Sequence, residues 1–172
     1  MSEKVDVAII GGGQAGLATS WYLRQAGVDH LVLESGRVAE TWRSRRWDSF
    51  CLVTPNWTVR LPGIDRLEQD PDGFMSLAEL IALFESWAAS FDVPVREQCH
   101  VYSLEADSTA GFVLNTSSGT VSARTVVVAS GAYQEAHRPK GAESLPATLH
   151  QVLAEDYRNP RELPPGNVLV VG

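Results

Sequence analysis

At 172 residues, with 44% hydrophobic and 20% charged residues, the chain has the length and composition of one globular domain rather than of a disordered segment. Its formal charge of −7 argues against nucleic acid as a partner. No apolar run approaches the ~18 residues that a bilayer span requires, so no membrane partner is expected.

The chain enters its first strand without a signal or transit pattern, which makes a cytoplasmic protein the expectation. Residues 5–10 are a short apolar, β-branched run suited to a strand buried on both faces. Gly11, Gly13 and Gly16 follow in G-x-G-x-x-G register. The first permits a tight turn, the second lets the backbone approach a pyrophosphate, and the third lets helix and strand pack closely. From Gln14 to about Ala26, Leu17, Ala18, Trp21, Tyr22 and Ala26 recur at helical spacing, with Gly27 as a C-cap. The N-terminus of that helix points free N–H groups at the turn, which suits a diphosphate. A second strand over 30–33 delivers Glu34, eighteen residues after Gly16, where a carboxylate accepts from ribose hydroxyls and repels a 2′-phosphate.

Residues 35–73 are rich in Arg, Trp and Pro and lack periodicity; a connection this long is usually functional. Between Arg37 and Arg66 lie six arginines and three acids. They form either a solvated loop or a set of forks facing cofactor or substrate phosphates. A helix is predicted over 75–90, with Ser76 and Glu79 as a capping box and Leu77, Leu80, Ile81, Phe84 and Trp87 as its apolar face. Residues 93–107 read as one strand, 111–123 as a hairpin turning at Ser118-Gly119, and 124–131 as a buried strand ending in Ala129, Ser130 and Gly131. Small residues at that end let a cofactor lie against the backbone. Cys51 and Cys99 are 48 positions apart, and His30, His100, His137 and His150 have no ligand spacing, so neither a dithiol centre nor a metal site is expected.

Four stretches, "GGGQAG" with Glu34, "ETWRSRRWDSFCLVTPNW" ending in "RLPG", "VVVASG", and "DYRNPRELPPGNVLVVG", together resemble the two-dinucleotide-binding flavoproteins, and within them the flavin-containing monooxygenase-like group. The resemblance implies an α/β, Rossmann-like FAD-binding domain with a parallel sheet and a small antiparallel β excursion. It also implies FAD and NADPH as cofactors, and O2 with a small organic molecule as substrates. In such proteins a flavin C4a-(hydro)peroxide oxygenates the substrate. Gly11, Gly13, Ala15 and Gly16, with Gln14 between them, match the diphosphate turn, and Glu34, followed by Ser35, matches the adenosine-ribose acid. Thr41 and Trp42 match the pair lying along the flavin, with Trp47 beside them, although a core position is a lesser alternative for Trp42 and Trp47. Val101 sits where such proteins contact adenine through the backbone, and Ala129, Ser130 and Gly131 where the cofactor meets the strand end. Asn56 is similar to the asparagine near the reactive edge of the flavin, and Arg43, Asn56 and backbone N–H groups would stabilise the oxygenated flavin by hydrogen bonding.

Two positions depart from the group. Ala39-Glu40 stands where Gly-Gly or Gly-Glu is usual, which leaves the path of the loop open. Leu153, not His, lies four residues before Tyr157, and His150 lies seven before it. Residues 167–171 repeat the pattern of the first strand, so residues 1–166 are expected to be the FAD-binding portion and 167–172 the first strand of an NAD(P)H-binding domain. A missing C-terminal portion, or self-association through that strand, is expected to follow. The alternatives are an FAD-dependent reductase or dehydrogenase without oxygen insertion, and a non-catalytic nucleotide-binding fragment.

Overall fold

The apolar run that opens the chain lies at the centre of a six-stranded sheet. The structure is a computed structural model describing residues 2–171 apart from 65–68, 110, 133 and 134; Arg66 and Gly172, both singled out above, lie outside the described residues. β1 (Ser2–Ile10) leads through the glycine turn into α1 (Gln14–Gln25), and then to β2 (His30–Leu33). A short α2 (Glu40–Ser44) and a 3-10 turn at Asn56–Thr58 punctuate the long connection. α3 (Leu77–Ser90), β3 (Val95–Arg96), β4 (Val101–Asp107), β5 (Gly111–Thr116) and β6 (Gly119–Val128) complete the order. The strands lie β3-β2-β1-β6-β5-β4, parallel from β3 to β6 and antiparallel through β5 and β4. The α/β class, parallel sheet and antiparallel excursion are therefore present.

Residues 5–10 of β1 are buried or half-buried on both faces, as their composition demands, while Glu3 and Lys4 ahead of them are exposed. Val7, Ile9 and Val32 pack toward Leu23 of α1, while Ala8, Leu31 and Leu33 pack with Cys99, Leu114, Val121 and Ala123 on the other side. Between α1 and β2, Ser20 and His30 form a buried pair at 2.8 Å. The Val28 carbonyl can only accept from His30 Nδ1, so Nε2 is left to accept from the Ser20 hydroxyl. α3 covers the connection with Leu80, Leu83, Phe84 and Trp87, and its capping box at Ser76 and Glu79 forms as read.

Several local expectations are corrected. The buried stripe of α1 is Gly16, Leu17 and Ser20, and Tyr22 is exposed; a serine served by a buried histidine carries no hydrophobic signal. α3 begins at Leu77, with Met75 buried ahead of its cap. The 93–107 strand divides in two, because Gln98 takes a positive φ of 54°. The hairpin loop is Ser117-Ser118, one residue earlier than read, and Gly119 opens β6 at φ 114°. The hairpin's second strand and the return strand are one continuous element, β6. That strand is not buried throughout: Val128 is exposed, because the cluster on that face is built from strand residues and Cys99, with no helix contributing. Apart from these corrections, residues 167–171 lie outside the sheet and stand exposed, as an apolar stretch does where no neighbour supplies hydrogen bonds.

Candidate functional site

The glycine turn shows three glycines required for three reasons. Gly11 has a φ of 111°, and a Cβ there would stand 2.4 Å from the Ala129 carbonyl oxygen at the end of β6. Gly16 lies so close to the turn that its Cβ would sit 1.9 Å from the Gly11 oxygen. Gly13, the N-cap of α1, has an ordinary extended conformation, and a Cβ there would meet nothing within 4 Å. Gly13 therefore borders open space. No side chain caps α1 and no acid lies in its first turn, so the N–H groups around Gln14 and Ala15 face that space unopposed. Such an arrangement accepts an anion.

Glu34 follows β2 beside the turn, 8% exposed. Its Oε2 accepts the Gly12 N–H at 2.6 Å, and its Oε1 accepts the Gly36 N–H at 2.8 Å and the Ser35 hydroxyl at 3.3 Å. Four lone-pair positions serve a carboxylate, so acceptor capacity remains on Oε2. The segment after β3 braces this corner: Cys99 N–H donates to the Glu34 carbonyl and Gln98 N–H to that of Gly36, each at 2.8 Å. Val101, two residues on, packs against the cluster that contains Leu33 and Cys99. Ala129 is tied to Ile10 at 2.8 Å, and Gly131 follows with a φ of 87°. Gly12 and Gly36 were not singled out in the sequence; their role is to anchor the acid, and a glycine two residues after it was the available signal.

The Thr41–Trp42 segment is docked on the turn through Ala39, whose N–H reaches the Gly12 carbonyl at 3.4 Å. Ala39 adopts φ 64° and is 1% exposed, so alanine takes the left-handed conformation where glycine is usual and α2 still begins there. Thr41 is exposed, while Trp42 is half-buried against the core beneath α3. Trp42, Trp47 and Phe50 form an aromatic group, with the Arg46 guanidinium 4.7 Å from the Trp42 ring centre. Two of the arginines are paired from outside the segment, Arg43 with Glu85 of α3 and Arg45 with Glu155, while Arg37 pairs with Glu40 within it. Asn56, 4% exposed, accepts the Met75 N–H and donates to the Asp70 carbonyl, each at 2.8 Å. The structure thus gives Arg43 and Asn56 bracing contacts. The "RLPG" stretch is also a brace, with Trp87 Nε1 donating to the Pro62 carbonyl at 2.9 Å and Trp21 lying over Gly63.

Among the described residues there is no cluster of His, Cys, Asp and Glu suited to a metal ion, and no helix long and apolar enough to cross a membrane. Cys51 is exposed and Cys99 buried, and both are free thiols.

The family model described as pyridine nucleotide-disulphide oxidoreductase matches residues 8–172. An uncharacterized CzcO-like oxidoreductase of Geobacillus kaustophilus is 38% identical over 173 residues, covering 100% of this chain and 49% of the relative. The probable indole-3-pyruvate monooxygenase YUCCA1 of Arabidopsis thaliana is 32% identical, over 95% of this chain and 40% of its own length. A flavin-containing monooxygenase from Stenotrophomonas maltophilia superposes with a TM-score of 0.70 at 27% identity, covering 80% of this chain and 42% of that one. The chain spans about half the length of the curated relatives it matches most fully.

Proposed function

The chain belongs to the pyridine nucleotide-disulphide oxidoreductase family, and within it we propose that residues 1–166 are the FAD-binding part of an NADPH-dependent flavin monooxygenase. The observation that carries this reading is the open N-terminus of α1 at Gly13 beside the anchored carboxylate of Glu34. Together they present amide donors for a diphosphate and an acceptor for a ribose. The anion cradle has room where a Cβ would otherwise stand, so these residues fit the adenosine-diphosphate half of FAD.

In this reading Gly11, Gly13, Gln14, Ala15 and Gly16 hold the diphosphate, Glu34 and Ser35 the ribose, and Val101 the adenine edge. Ala129, Ser130 and Gly131 form the backbone shelf at the end of β6. Thr41, Trp42 and Trp47 line the flavin, while Arg43 and Asn56 fix the segment that carries them. Bound FAD would supply the electron relay from NADPH to O2, so that one oxygen atom reaches a small organic substrate. Residues 167–172 are proposed as the first strand of the NADPH-binding part. The names of the relatives support the monooxygenase reading. Stopped-flow spectroscopy on the complete protein tests it. Reduced, flavin-loaded protein mixed with O2 is expected to show a transient near-UV absorbance before the oxidised spectrum returns. Direct reoxidation without that transient would leave the reductase alternative, and a protein that takes up no FAD would refute the site.

A further inference from the structure

The "DYRN" stretch is a feature of the sequence resemblance that the nucleotide site leaves without a role. In the structure it lies against α2. Arg158 Nη1 donates to the carbonyls of Arg46 at 3.2 Å, Glu155 at 2.9 Å and Tyr157 at 3.4 Å, and Nη2 donates to the carbonyl of Ser44. Ser44 ends α2, and the last carbonyls of a helix have no partner within it; a guanidinium suits them in both charge and geometry. The attachment runs in both directions. Asp48 N–H donates to the Arg158 carbonyl at 2.9 Å, Asn159 Nδ2 to Asp48 Oδ2 at 2.8 Å, and Arg45 pairs with Glu155 at 2.7 Å. On its other side α2 is held by the pairing of Arg43 with Glu85 of α3.

A five-residue helix does not hold its shape alone, since helix nucleation is unfavourable and short helices are marginal in water. Trp42 adjoins Arg43 in α2, and Trp47 lies between Arg46 and Asp48, so both stand next to these attachments. We infer that Arg158 is a positioning residue for the flavin side of the site: it caps α2 from more than a hundred residues away and fixes Trp42 and Trp47 in the orientation that meets the isoalloxazine. The inference rests on the FAD reading above.

The test uses the complete protein carrying Arg158→Gln, Arg158→Lys and, as a milder release of the same strap, Glu155→Ala with Asn159→Ala. Four readouts are taken: FAD affinity, the visible circular dichroism of bound flavin at saturation, hydrogen exchange over residues 40–48, and the thermal midpoint. Arg158→Gln is expected to bind FAD about tenfold more weakly, to change the flavin dichroism even when saturated, and to exchange faster over 40–48. Arg158→Lys should recover part of each, because one ammonium can serve some but not all of the carbonyls. A merely structural loss would lower the midpoint and leave the saturated flavin spectrum as in wild type, and that result overturns the inference. If Arg158→Gln does not fold, the double variant decides: faster exchange over 40–48 with an altered flavin spectrum supports the strap, and an unaltered spectrum refutes it. Wild-type protein that takes up no FAD sinks the FAD reading itself, whereas wild-type loading with unaffected variants sinks only the role of Arg158.

Discussion

Gly13 sits at φ −86° and ψ −169°, a conformation open to any residue, beside space that no atom of the chain fills. Gly16 has the opposite problem, because backbone already occupies the place of its Cβ. Gly13→Ala should therefore fold with a stability loss of no more than about 1 kcal/mol, the cost of a poorer N-cap, while losing most of its FAD affinity. Gly16→Ala should fail at the level of folding, since the Gly11 oxygen cannot retreat without opening the turn. Chemical unfolding and FAD titration of both variants separate the two roles; equal losses in both assays would refute the distinction. Glu34 makes a second prediction at this scale. In Glu34→Gln one carboxylate oxygen becomes an NH2 group, which must face a backbone N–H of either Gly12 or Gly36. One buried donor then loses its acceptor, so the variant should lose about 1–3 kcal/mol of stability in addition to affinity for the ribose. A variant that loses affinity at unchanged stability would show that the acid serves the ligand alone. The glycines were legible because their spacing is fixed within one turn, and the acid because one helix and one strand set its distance from Gly16. The anchoring of Glu34 by Gly12 and Gly36 was not legible, since it depends on how two loops meet.

Among the elements, α3 carries the clearest dependence on pH. The Ser76 hydroxyl, and after it the Ser76 backbone N–H, hydrogen-bond the Glu79 carboxylate and hold its carboxyl below the ordinary carboxylate value. A folded-state value below the unfolded one means that this contribution is complete above the ordinary carboxylate range. It is lost as pH falls through the lowered value, when the proton removes the acceptor. Amide exchange at Ser76 and Glu79 should accelerate over that acid window relative to Leu83 and Phe84 deeper in α3, and Glu79→Gln should flatten the difference. A uniform response along the helix would argue that global unfolding, not the cap, sets the pH dependence. This helix was legible almost residue by residue, because its cap and apolar stripe are local patterns. α2 was not, because its five residues are held by Arg158 and by Glu85, from outside the window in which periodicity acts. The split between β3 and β4 was hidden for a similar reason: Gln98 turns left-handed to keep the Gly36 and Glu34 carbonyls served, a demand set across the sheet.

At the scale of the whole molecule, the parallel half of the sheet followed from apolar runs alternating with an amphipathic helix, and its order agrees with that pattern. Which faces are covered did not follow, because an apolar run looks the same whether or not anything packs over it. Val128 is exposed on β6, and Val168, Leu169, Val170 and Val171 stand together in solvent, with Val170 87% exposed. A contiguous apolar stretch with unpaired N–H and C=O groups invites strand addition. The 172-residue chain on its own is therefore expected to self-associate as its concentration rises, measured by size-exclusion chromatography with light scattering. A chain ending at residue 166, or one carrying Leu169→Asp and Val170→Asp, should remain monomeric under the same conditions. Because these residues stand clear of the glycine turn and Glu34, neither change should alter FAD affinity. Self-association that persists in both variants would place the contact elsewhere, with the open face of β6 around Val128 the next surface to alter. A monomeric 172-residue chain at every concentration would mean that the exposed tail finds cover within its own molecule.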